Sequence, residues 1–142
     1  MRPWLWTFFL LWGGSYLGQT PIDWPQLAEV RYVRQVDLST GYVVDRPRFS
    51  REIKALADQE VAIGGYLLPL DVSGESYALS RYPYSACFFC GGAGLESVMN
   101  VWFVEAKQRY RLDQYVTLKG TLRLSDSGDG LLYLLEDAVE VP

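Results

Sequence analysis

The chain reads as mainly β: a small five-stranded, OB-like (Greek-key) barrel, preceded by one short helix and an N-terminal signal segment. Three observations predict it. Five strand-like segments crowd residues 61–139, separated by turns rich in Gly, Ser and Asp. The first of them carries Gly64-Gly65 at its middle, where a barrel wall that must bend or bulge has a use for glycine. Tyr115 to Leu124 alternates cleanly, with Val116, Leu118, Gly120, Leu122 and Leu124 on one side and Thr117, Lys119, Thr121 and Arg123 on the other. Closure into a barrel removes exposed strand edges. A five-stranded SH3-like barrel or a small sandwich is the competing architecture.

The elements follow in order. Residues 1–18 read as an export signal: Arg2 gives a minimal positive start, Trp4 to Trp12 is apolar apart from Thr7, and Gly18 permits cleavage before Gln19. The run falls short of the roughly 20 residues that span a bilayer as a helix. The alternative is an uncleaved N-terminus that associates with the membrane. No cysteine follows the run, which excludes a lipoprotein anchor. The chain is therefore expected to be periplasmic or secreted.

Residues 19–58 form a lead. Asp23 to Ala28 suits one helical turn, capped by Asp23 and opened by Pro25. Val30 to Val36 suits a short strand, and Gly41 to Val44 a second extended piece that ends near Arg46-Pro47. Phe49 to Ala57 suits a helix: Ser50 can cap it, Glu52 favours its first turn, and Ile53, Leu56 and Ala57 share a face. The barrel is expected over residues 59–142, with strands at Val61 to Leu70, Tyr77 to Tyr82, Ser97 to Ala106, Tyr115 to Leu124 and Leu131 to Val139.

Composition bounds the function. The 142 residues are 49% hydrophobic and 21% charged, with a net charge of −4, as befits one globular domain. An acidic chain lacks the basic footprint of a nucleic-acid binder, and Arg109 with Arg111 reads as a solvated face. Histidine is absent, which excludes Ser-His-Asp and Cys-His catalysis and every His-ligated metal site. No catalytic residue is assigned.

The chemistry concentrates at Tyr84-Ser85-Ala86-Cys87-Phe88-Phe89-Cys90-Gly91-Gly92-Ala93-Gly94. Both cysteines of the chain lie here, two residues apart, beside the aromatics Tyr82, Tyr84, Phe88 and Phe89. In an oxidising compartment Cys87 and Cys90 can close a disulfide. Its short ring limits the stabilisation to roughly 2 kcal/mol. The pair can also exchange electrons, although Gly91-Gly92 is unsuited to the helix that lowers a thiol pKa in thioredoxin-like sites. A third use is a soft metal such as zinc or copper, held by Cys87 and Cys90 in a knuckle-like turn. Four ligands are then needed, and Glu96 or a second subunit would have to complete the set. Gly91 and Gly92 lack the Lys-Ser/Thr of a phosphate loop and read as a turn. Asp126-Ser127-Gly128-Asp129-Gly130 lacks the remaining acids of a calcium loop and reads as a connection. The four aromatics suit either a ligand-stacking loop or a plug for the barrel end. The carboxylates nearby, Asp71, Glu75 and Glu96, have no spacing that marks an acid–base pair.

Trp24 and Leu27, then Val61, Ile63, Gly65, Tyr66, Pro69 and Leu70, then Cys87, carry a resemblance. The pattern Trp-x-x-Leu, Val-x-Ile-x-Gly-Tyr-x-x-Pro-Leu and a following cysteine loop resembles a bacterial family of small exported proteins classed only as a domain of unknown function. The chain departs from it after the cysteine, where Phe88-Phe89-Cys90-Gly91-Gly92 replaces a histidine and a proline run; Cys90 would then stand in for the histidine. The resemblance implies an exported barrel, with some members associated with transport or metal handling. Three functions stay open: a non-enzymatic binding or accessory module of the envelope, with an envelope protein as partner or a soft metal to handle through Cys87 and Cys90; a thiol–disulfide protein; and a structural interaction domain with a local disulfide.

Overall fold

The computed structural model describes residues 18–105, 109–128 and 130–142. The signal segment predicted over residues 1–18 lies outside them except for Gly18, as do Ala106 and Asp129. Among the described residues no helix is long and apolar enough to cross a membrane.

The elements are β1 (Thr20–Pro21), α1 (Trp24–Leu27), β2 (Val30–Val36), β3 (Val43–Phe49), α2 (Arg51–Leu56), β4 (Glu60–Pro69), β5 (Tyr77–Ser80), β6 (Val98–Phe103), β7 (Gln114–Leu124) and β8 (Tyr133–Val141). The sheet runs β4-β5-β6-β8-β7, and β7 returns to β4, so five strands close a barrel. All neighbours are antiparallel except β6 and β8, which are parallel. That single parallel seam, with β8 inserted between β6 and β7, is the order of an OB-like Greek key.

Closure depends on β4 being long enough to serve two neighbours. Glu60 to Leu67 pairs with β7, and Tyr66 to Pro69 pairs with β5. β1 lies parallel to the early part of β4 and covers an edge there, Thr20 opposite Val61 and Pro21 opposite Ala62. Gly65 and Gly120 sit where walls approach most closely. A Cβ would meet the Ser80 carbonyl oxygen at 2.8 Å from Gly65 and the Glu136 carbonyl oxygen at 2.6 Å from Gly120. Gly120 also falls within the register shift of the β7–β8 ladder, between Lys119 and Thr121.

The lead is bound into the same core. Ile22, Trp24, Leu27 and Ile53 cluster with Val61, Ile63, Leu67, Leu79, Met99, Leu118, Leu122 and Leu135 from the barrel. The expected Asp23 cap of α1 is present and is one half of a capping box: Asp23 Oδ1 accepts from Gln26 N, and Gln26 Oε1 accepts from Asp23 N, both at 2.9 Å. Trp24 Nε1 donates to the Gly64 carbonyl at 2.8 Å, and the buried Tyr133 hydroxyl donates to the Leu27 carbonyl at 2.6 Å. Burial pushes the Tyr133 phenol well above its ordinary range, with the charges of Tyr32 and Glu96 adding to it.

Sequence and structure differ at the edges of elements. The extended piece expected to stop before Arg46-Pro47 continues as β3 through Pro47 to Phe49. A two-stranded ribbon leaves one edge of each strand open, and a proline is tolerated there because a missing N–H breaks no ladder bond. The helix expected over 49–57 is confined to α2, because Phe49 is still paired with Val30 and Asp58 turns to a left-handed φ of 62°. The strand expected to reach Tyr82 ends at Ser80, and the one expected to reach Ala106 ends at Phe103.

Candidate functional site

The Cys loop does not plug the barrel end. It folds back over the outer wall of β4, β5 and β6. Register places Val61, Ile63 and Leu67 of β4 inward, opposite Gly120, Leu118 and Gln114 of β7, so Leu68 points outward. Leu68 pairs with Ala78, and Ser80 pairs with Val98, on that same outer face. Cys87 lies on this platform and is wholly buried, forming a second small core with Leu68, Ala78 and Val98, against which Phe88 and Leu131 pack. A buried free cysteine behaves there as a small apolar group.

The backbone around Cys87 makes two tight turns. Tyr84–Ala86 and Phe88–Cys90 are each one turn of 3-10 helix, with Cys87 extended between them. The Cys87 carbonyl accepts from Cys90 N at 3.3 Å and from Gly92 N at 3.0 Å. Gly91 closes the second turn at a φ of 73°, a left-handed conformation that glycine adopts without cost. Gly92 follows against the first turn, where a Cβ would meet the Ala86 carbonyl oxygen at 2.7 Å. At the start of the loop, Tyr84 N donates to Asp113 Oδ1 at 2.7 Å. Asp113 takes a left-handed φ of 63° to bring its carboxylate there.

The two thiols differ in exposure. Both are free, Cys87 inside the outer core and Cys90 exposed. The Cys90 thiol lies beside the Tyr84 hydroxyl; its charge and its hydrogen bond to that hydroxyl raise the Tyr84 phenol above its ordinary range. Tyr84 and Phe89 stay exposed, and Phe89 meets Phe88 edge-on at 5.5 Å between ring centres. Tyr82 is half-buried with the Arg81 guanidinium over its ring at 5.2 Å.

Glu96 is not brought to the thiols as a third ligand. Its charge acts instead on Tyr32 of β2 and on Tyr133. Among the described residues no three His, Cys, Asp or Glu side chains converge as a metal-ligating group. The loop thus offers one accessible thiol, two exposed aromatic rings and a rigid turn. Sequence reading singled out the loop but missed its supports, Asp113 and the platform of Leu68, Ala78, Val98 and Leu131. Two signals were available: Leu67-Leu68 and Val98-Met99 are consecutive apolar pairs, which suits a wall covered on both faces.

Fold and site together define an OB-like barrel with a surface-anchored aromatic–cysteine loop. No family model and no curated protein matches the chain. Among solved structures it is similar to the crystal structure, at 2.45 Å resolution, of a DUF3299 family protein from Pseudomonas aeruginosa, with a TM-score of 0.54 and 18% identity over 88% of this chain and 97% of that one. At that identity the likeness is one of fold. The neighbour is itself assigned to a domain-of-unknown-function family, the class that the sequence pattern resembles.

Proposed function

We propose that the chain is an exported, non-enzymatic binding or accessory module of the bacterial cell envelope, with the loop over residues 82–92 as its contact surface. The observation that supports this most is the exposure of Tyr84 and Phe89 on a turn whose own core is already filled by Cys87 and Phe88. Large aromatics held rigidly at a surface lose little entropy when a partner covers them, and such rings dominate protein contacts. Cys87 serves as the pin that holds the turn, and Cys90 lies inside the contact surface.

A photo-reactive phenylalanine analogue at Phe89, in cells, tests the reading. A discrete adduct from Phe89, missing from a probe at Glu60 on the barrel and lost with Tyr84→Ala, is the expected result. Equal labelling from both positions, or none from either, overturns it.

The exposed Cys90 favours a second reading, thiol chemistry or soft-metal handling by the pair. Two measurements decide: thiol–disulfide turnover with a dithiol that is lost in Cys87→Ser and in Cys90→Ser, or, in native mass spectrometry, a bound metal lost in both variants, would replace the reading of the loop as a protein contact surface.

A further inference from the structure

At the end of the barrel where β6 and β8 run out side by side lies a cleft of about 180 Å³ that shares no residue with the Cys loop. Its wall is aromatic. Phe103 and Tyr110 stack at 5.1 Å between ring centres and 21° between planes, and Tyr77 meets each of them edge-on at 5.6 Å. Tyr110 N donates to the Tyr77 hydroxyl at 3.2 Å, which ties the connector before β7 to the stack. Ala138 completes the floor. Phe103 pairs with Ala138 across the parallel seam, and Val104 N carries the pairing one step further by donating to the Ala138 carbonyl at 3.2 Å.

Two carboxylates border this cleft, Glu105 and Glu140. Glu140 pairs with Leu118, which belongs to the main core, so it stands on the inner side of the wall, where a small barrel ordinarily carries an apolar residue. The Tyr110 hydroxyl donates to the Glu140 carboxylate. Burial first, and then that hydrogen bond and charge, raise the Tyr110 phenol to about 12, so its hydroxyl stays a donor. No lysine or arginine lines the cleft, and neither carboxylate forms an ion pair among the described residues. Arg109 borders a different groove, with Asp71 and Ser73. Two like charges on one small cleft repel unless a cation lies between them. The rim is apolar: Val104 is 60% exposed and Val139 41%.

We propose that this cleft receives the guanidinium of an arginine side chain from a protein partner, held between Glu105 and Glu140 against the Phe103–Tyr110 wall, with the apolar rim covering the residues beside that arginine. Size sets the first limit: pockets for small-molecule ligands hold roughly 300–1,000 Å³, and this one has room for a single side chain. Chemistry sets the second. A calcium ion takes about 6–8 oxygen ligands, and two carboxylates beside aromatic rings make a poor cage for it. A guanidinium is weakly hydrated, packs on aromatic rings and forks onto carboxylates. Charge agrees: residues 59–142 hold 11 Asp and Glu against 6 Lys and Arg, a field that draws cationic partners.

Nuclear magnetic resonance of the isotope-labelled full chain tests this with the peptide acetyl-Val-Arg-Val-amide, whose valines reach the apolar rim. Saturable shifts of the Phe103, Ala138 and Glu140 amides are expected, with a Kd on the order of 1 mM. The same peptide with citrulline for arginine, uncharged and nearly the same shape, should give no saturable shift. Glu140→Gln should weaken binding of the arginine peptide roughly tenfold, and Glu105→Gln likewise. Acetyl-arginine-amide, without the valines, should bind roughly tenfold more weakly than the peptide. Four results overturn the proposal. One is no saturable shift with the arginine peptide. Another is an equal shift with the citrulline peptide. The third is equal affinity for acetyl-arginine-amide, which would make the cleft a small-molecule site. The fourth is tighter binding in Lys107→Gln, which would make this chain's own lysine the occupant. The citrulline contrast uses the unaltered protein and stands whether or not a variant folds.

Discussion

The wall formed by β4, β5 and β6 has two apolar faces, and they are made differently. The inner face meets side chains from every barrel strand and from α1 and α2, so each residue is held by several distant parts of the chain. The outer face is covered mainly by the Cys loop, with Leu131 beside it, and its core is four buried residues, Leu68, Ala78, Cys87 and Val98. The first is a product of closure. The second depends on a single segment staying folded back. Stability should follow the inner face, and local opening should follow the outer one.

The largest effect expected is on the inner face. Leu118 is fully buried at the centre of β7, and Leu118→Ala should cost about 2–5 kcal/mol. Denaturant unfolding checks this, and the transition should be the same whether followed by far-ultraviolet circular dichroism or by a probe in the Cys loop. A cost well under the lower figure would mean that closure is not the main source of stability.

The outer face should respond less, and unequally at its two cysteines. Cys87→Ser places a hydroxyl among Leu68, Ala78 and Val98 and should cost about 1–3 kcal/mol. Hydrogen exchange at the Cys90 and Gly92 amides, both of which donate to the Cys87 carbonyl, should quicken while β7 stays protected. Cys90→Ser should stay within about 0.5 kcal/mol, since its side chain is at the surface. Equal costs for the two would erase the distinction between pin and contact residue.

The smallest effect sharpens the comparison from the solvent side. Asp71 caps the β4–β5 turn, its Oδ1 accepting from Ser73 Oγ at 2.9 Å, Gly74 N at 2.7 Å and Glu75 N at 3.1 Å. Hydrogen bonds, with Ser76 the largest cause and Glu75 next, lower its pKa from 3.8 to about 2. A folded value below the unfolded one means that its contribution is complete above the ordinary carboxylate range and lost as pH falls toward 2. The group is exposed, so the effect should be slight. The Gly74 amide resonance should titrate with the low value, and Asp71→Asn should abolish that titration. An ordinary carboxylate midpoint would show that the turn is open in solution.

Much of the fold was legible in the chain because it is written in local alternation. Val116 to Leu124 declares its buried side residue by residue, and Asp23 and Ser50 declare the starts of α1 and α2 through side chains that reach only three residues ahead. The Cys loop was legible as a site because both thiols and four aromatics fall in one short run. Its arrangement was not. A two-residue spacing leaves both thiols free to face one ligand or to face apart.

The sequence by itself determined the five strands, their order along the chain, the short helix and the segment where the chemistry gathers. All of these rest on contacts within a few residues or on the two-residue period of a strand. Tertiary structure decided that Leu68 and Val98 are covered as well as Leu67 and Met99, that Cys87 is buried while Cys90 is exposed, and that Cys87, Cys90 and Glu96 form no three-ligand group. Each of these depends on which distant surface a loop or strand lies against. That choice is set by closure of β7 onto β4 and by the outer platform it leaves for residues 82–92; the local pattern shows at most that Leu67-Leu68 and Val98-Met99 suit a wall covered on both faces, not what covers it.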